Sequence, residues 1–233
     1  MVIETTDILD QRKMAAAMYQ RPDLMMFSGD ETLADHFSAQ EQKVVSEALA
    51  GRGVPFASIK KMKPWMLFSL VALPVCELDR KEAGELILDF ELARQADHAG
   101  KELIGLESAV EQLEAMASLP MELHMRGLVE SLALGDELDN VMETMIALYT
   151  EGETAMFWPL VQVAFPQEEQ TAADYAAFDQ AMIRVRNGTM AERARPILNG
   201  GKAFIAVGAL HLPGKEGLIE LLREDGFTVD LVQ

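Results

Sequence analysis

One short run, Ala203-Phe204-Ile205-Ala206-Val207, restricts the fold of this chain more than any other feature. It is continuously apolar between Gly201 and Gly208, the pattern of a strand covered on both faces, which needs helices above and below it. Leu218, Ile219 and Leu222 follow at helical spacing, and Phe227-Thr228-Val229-Asp230-Leu231 after Gly226 reads as a further strand. Residues 203–232 therefore predict a βαβ unit, a sheet that is at least partly parallel, and a right-handed crossover. Leu103-Ile104-Gly105-Leu106 is another candidate strand, and Val2-Ile3-Glu4 reads as the end of a buried one.

Helical patterning fills the rest. Ser38 with Glu41 forms a capping box ahead of Val44, Val45, Ala48 and Leu49, and Gly51 and Gly53 stop that helix. Ala83, Leu86, Ile87, Phe90 and Ala93 make a second stripe that ends near Gly100. Ser108 with Glu111 caps a third helix, Pro120 opens a fourth, and the pattern beyond it is one long helix or a pair meeting near Gly135. Tyr175, Phe178, Met182 and Val185 predict a helix stopped at Asn187-Gly188, with Thr189 and Glu192 capping the next. The expected class is α/β: one domain over residues 1–233, with a helical insertion covering the sheet from about residue 81 to 197. At 233 residues and 49% hydrophobic, the chain can bury the core this needs.

Composition removes several function classes. A formal charge of −18 repels phosphate backbones, so no nucleic-acid partner is expected. The single cysteine, Cys76, permits neither an internal disulfide nor a cysteine-based zinc site, and reads as a small buried residue. Lys60-Lys61-Met62-Lys63 followed by the apolar run Met66 to Leu73 mimics a secretory signal, but Pro64 and Pro74 bracket a run too short to span. No membrane-spanning segment is expected, and the run reads as a buried helix. Extracytoplasmic placement is expected if a precursor carries a signal peptide.

Ligands in open α/β sheets sit outside the carboxyl ends of the strands. Gly208-Ala209-Leu210-His211 occupies that place, where an imidazole can serve as a metal ligand or general base. The bland alternative is a structural loop histidine, since Gly-x-x-His is a common spacing. Glu4 and Glu107 also end apolar runs and can point into the same crevice, although Glu107 better suits the N-terminus of the helix begun by Ser108. Arg186-Asn187 reads as a cation and a left-handed cap at a helix C-terminus. His36, His98 and His124 read as surface or hydrogen-bonded histidines. A phosphate loop, a Gly-x-Ser-x-Gly elbow, a His-Glu-x-x-His helix and a dinucleotide fingerprint are all absent from the sequence.

The stretch Phe204 to Gly214, with Gly217-Leu218, Leu222 and Gly226, resembles the ending of the TraB/GumN/Tiki family. Lys63-Pro64-Trp65, Leu106-Glu107-Ser108 with Glu111-Gln112, Arg186-Asn187 and Val2-Ile3-Glu4-Thr5 echo it in order along the chain, closest to the bacterial GumN-like branch. The resemblance implies a fold shared with erythromycin esterases and haem-binding ChaN-like proteins. It also implies a metal-dependent, peptidase-like hydrolase acting on a peptide or other small substrate. The family hallmark is two Gly-x-x-His motifs and a glutamate around a divalent cation such as Mn, Co or Zn. Gly208 and His211 match the second motif, and Glu4 the glutamate. The first motif belongs upstream of Val2, so the chain is expected to be an N-terminally truncated or degenerate member that binds metal weakly or not at all. On this reading His211 and Glu4 are ligands, Glu4 and Arg186 are catalytic, and Gly208, Glu107 and Asn187 support them. The alternative is a non-catalytic crevice that holds a peptide or a cofactor such as haem.

Overall fold

The computed structural model describes residues 1–71, 75–135, 137–164 and 169–232. Its sheet has three strands, β1 (Val2–Thr5), β2 (Ile104–Glu107) and β3 (Ile205–Ala206). β1 lies in the centre and pairs in parallel with both neighbours, Val2 standing opposite Ile104 and Ile205. All three strands therefore bring their carboxyl ends to one edge.

Side chains alternate across the sheet. Val2 and Leu106 turn to the helix Val185–Gly200, where Met190, Ala191 and Ala194 are buried against them. Ile3 turns the other way, onto Ile8 and Ala93 of the helix Leu88–His98. Helices on both faces of a parallel sheet make this the α/β arrangement the sequence predicts. A separate, all-helical core gathers Leu33, Val45, Leu49, Leu67 and Leu128 from the helices Ala39–Gly51, Pro64–Val71 and Met121–Leu134 and the turn Leu33–His36. Each buried leucine there contributes roughly 1.5–3 kcal/mol to this layer. The capping boxes at Ser38–Glu41 and Ser108–Glu111 are formed, and Gly135, at φ 54°, separates Met121–Leu134 from Glu137–Thr150.

Several local expectations change. Residues 227–231 are not a strand, so 203–232 is strand, loop and helix without a returning strand. That segment folds back on the helix Leu218–Glu224: the Phe227 amide donates to the Leu222 carbonyl at 3.0 Å, and Arg223 to the Val229 carbonyl at 2.6 Å. β3 is short, Ile205–Ala206, and pairs with β1 alone. The stripe from Ala83 is broken at Gly84, φ 82°, leaving Leu86 and Ile87 exposed ahead of the helix Leu88–His98.

The largest change lies at Asn187-Gly188, where no helix ends. Glu169–Phe178 runs through a π-helical turn, Asp179–Arg184, into Val185–Gly200. Thr189 does not cap; its hydroxyl donates back to the Val185 carbonyl at 3.3 Å. Arg186 and Asn187 therefore sit in the first turn of a long helix, not at a C-terminus. The apolar run is helical over Pro64–Val71; residues 72–74 and the Cys76 side chain lie outside the described residues.

Candidate functional site at the carboxyl edge

Parallel pairing in this register places Glu4, near the end of β1, beside Glu107, the last residue of β2, and beside the turn Ala209–His211 that follows β3. Arg186 reaches in from the helix above. Its Nε lies 3.1 Å from both Glu107 oxygens, and its Nη2 donates to Glu107 Oε2 at 2.7 Å and to Glu4 Oε1 at 2.6 Å. Nη1 donates to the Met182 carbonyl at 3.2 Å, within the π turn. Burial alone would lower the Arg186 pKa; the hydrogen bonds and charges of Glu107 and Glu4 outweigh it and raise the pKa above the usual guanidinium value. Glu107 therefore does not cap a helix. Ser108 does that, and Glu107, 3% exposed, is the buried partner of Arg186.

Glu4 is held from three sides. Gln112 Nε2 donates to Oε1 at 3.1 Å, Thr5 Oγ1 in turn reaches Gln112 Oε1 at 3.1 Å, and the Gly208 amide donates to Oε2 at 2.9 Å. A Cβ on Gly208 would stand 3.4 Å from both Glu4 Oε2 and the His211 ring, so a large side chain there would fill the space between them. His211 is 5% exposed, with Nε2 3.9 Å from Glu4 Oε2 and Nδ1 2.6 Å from Asn187 Oδ1. Burial, opposed by Glu4 and assisted by Arg186, pushes its pKa below the usual imidazole value, so the ring is neutral at neutral pH.

The described chain matches the sequence profile of the TraB/PrgY/gumN family over residues 1–231. The chain belongs to that family. Among individual proteins it is similar to metalloprotease TIKI2 of Xenopus tropicalis, 26% identical over 192 residues, which is 73% of this chain and 36% of that protein. Metalloprotease TIKI2 of Danio rerio is 24% identical over the same length, covering 73% and 37% respectively. The chain thus spans little more than a third of the length of these relatives. No solved structure matches it.

The six candidate site residues, Glu4, Glu107, Arg186, Asn187, Gly208 and His211, meet at this one edge. Sequence reasoning did not place Gln112, Thr5 or the Met182 carbonyl there. Gln112 had a readable signal, since it sits in the first turn of a helix that starts at a strand end. His124 is 7% exposed on Met121–Leu134; its ring is hydrogen-bonded to the Met116 backbone, while its Nε2 has no partner among the described residues.

A divalent metal does not fit the described donor set. His211 Nε2 and Glu4 Oε2 can face one point, but Glu107 is turned onto Arg186, and the described residues contain no group of three His, Cys, Asp or Glu placed to hold an ion. Metal sites of the catalytic type use three protein ligands. Among the described residues no helix is long and apolar enough to cross a membrane.

Proposed function

We propose that this chain carries a peptidase-like hydrolytic site acting on an amide or ester of a peptide or other small substrate. The observation that carries the reading is the separation of 3.9 Å between His211 Nε2 and Glu4 Oε2. That is too long for a direct hydrogen bond, but an oxygen about 2.8 Å from each atom fits between them. A water held there is placed for its proton to pass to the neutral His211 ring as its oxygen attacks a carbonyl. Four of the five Arg186 N–H donors go to Glu107, Glu4 and the Met182 carbonyl, so its role on this reading is to fix and charge-balance the Glu4 carboxylate. Family membership and similarity to two proteins named metalloproteases support the peptidase class.

Turnover of a fluorogenic peptide library by the wild-type chain and by His211→Gln tests the reading. Loss of a general base lowers the rate by about 10²–10⁴-fold, so the variant should fall to background. Equal turnover by both proteins would remove His211 from the chemistry. Peptide binding without turnover would favour a non-catalytic crevice instead.

A further inference from the structure

We infer that Asn187 is a positioning residue that holds His211 in the Nδ1–H tautomer, so that the Nε2 lone pair faces Glu4. The inference rests on the hydrolytic reading of His211 for its purpose, but not for its geometry. Asn187 is fully buried, so no water can rearrange its hydrogen bonds. Its Nδ2 donates to the Glu216 carbonyl at 2.7 Å, and a backbone carbonyl can only accept. That contact fixes the amide: turning it over would press Oδ1 against the Glu216 oxygen. Oδ1 must then face His211 Nδ1 at 2.6 Å, and two acceptors cannot share that distance, so Nδ1 carries the proton and donates. Direction thus passes from a main-chain carbonyl, through one amide, to the ring.

The residue that supplies this carbonyl also contacts the π turn through its side chain. Arg184, at the end of the π turn, reaches the Glu216 carboxylate at 2.5 Å and Asp179 at 2.5 Å. The same turn sets the phase of the helix above. The Val185 amide donates to Gln180, five residues back, rather than four. The Met182 carbonyl takes a hydrogen bond from the Arg186 side chain. Arg186 and Asn187, neighbours about 100° apart on a helix, then both point into the site. Arg186 has the length to reach Glu4 and Glu107; Asn187 is short enough to stop at His211. Other residues of the catalytic machinery do not contact Nδ1, so the tautomer depends on Asn187.

Protein labelled with ¹⁵N-histidine and observed by long-range ¹H–¹⁵N correlation at neutral pH shows which ring nitrogen of each of the 4 histidines bears the proton. His211 is assigned by the signal lost in His211→Gln. The expected result is one neutral His211 species, protonated at Nδ1. Protonation at Nε2 in the wild type would overturn the inference without any variant. Asn187→Ala, which removes the acceptor facing Nδ1, should give a mixture of tautomers. A folded Asn187→Ala protein with the wild-type tautomer would also overturn it. The two readings separate cleanly: an inactive chain with His211 protonated at Nδ1 removes the hydrolytic reading and leaves the lock standing. Peptide turnover with His211 protonated at Nε2 does the reverse.

Discussion

Arg186 holds one positive charge between two carboxylates, at 10% side-chain exposure against 19% for Glu4 and 3% for Glu107. Removing one member of a buried ion cluster costs more than the cluster contributes, because the remaining charges stay buried without a partner. Arg186→Met should therefore lower unfolding free energy by about 3–5 kcal/mol in urea titrations. Adding Glu4→Gln and Glu107→Gln to that variant should recover most of the loss; a triple variant as unstable as the single one would mean that packing, not charge, is at stake. His124 gives the second residue-scale expectation. Burial lowers its pKa from 6.5 to about 4, the Met116 carbonyl opposing this and Lys63 adding to it. The unfolded chain takes up a proton near pH 6.5 and the folded chain only near 4, so stability is full above the first value and drains away between them. The loss by the acid end should be about 3 kcal/mol, and His124→Leu should flatten the profile in the same urea titrations.

At the scale of elements, Gly105 makes the tightest fit. A Cβ there would meet Thr6 Oγ1 at 2.2 Å and the Thr6 backbone at 2.3 Å, because the chain leaving β1 crosses directly over the middle of β2. Gly105→Ala should cost at least about 1–3 kcal/mol, read as a lowered melting temperature, because the atoms in the way include main chain. It should also disturb the Glu4–Arg186–Glu107 contacts, since the β1–β2 register places both carboxylates. A variant with unchanged stability would show that the crossing relaxes freely. A glycine inside a strand is a legible sign of close approach, and this one was readable. The helix through Asn187-Gly188 was not. Thr189 and Glu192 imitate a capping box, but burial of Met190, Ala191 and Ala194 against the sheet continues the helix through them. Local cap chemistry is worth about 1 kcal/mol, less than that apolar stripe supplies.

For the whole molecule, the charge of −18 and the two-donor edge act together. The acidic field draws divalent cations to the surface loosely, while His211 and Glu4 alone cannot strip and hold one. Calorimetric titration with Mn, Co and Zn should therefore show only weak, salt-sensitive binding, unchanged by His211→Gln. Tight binding that His211→Gln abolishes would mean that the carboxyl edge gathers a third donor in solution.

The amino-acid sequence alone determined the helix-covered parallel sheet, the end of each strand at which chemistry could sit, and Glu4, His211 and Gly208 as its occupants. Those features are local: an apolar run, its bounding glycines and a 3.6-residue period act within a few residues of themselves. Tertiary structure decided which polar groups meet. Arg186 finds Glu4 across 182 residues and the Gly208 amide finds it across 204, through strand register and the phase of a π turn that no periodicity announces. It also decided that Phe227 to Leu231 would not be a strand: the Phe227 amide and the Val229 carbonyl are bonded back to the helix Leu218–Glu224 instead of to the outer edge of β3. A hydrophobic pattern states which face a segment buries, whereas the partner of a buried charge is set only when the elements carrying both have docked.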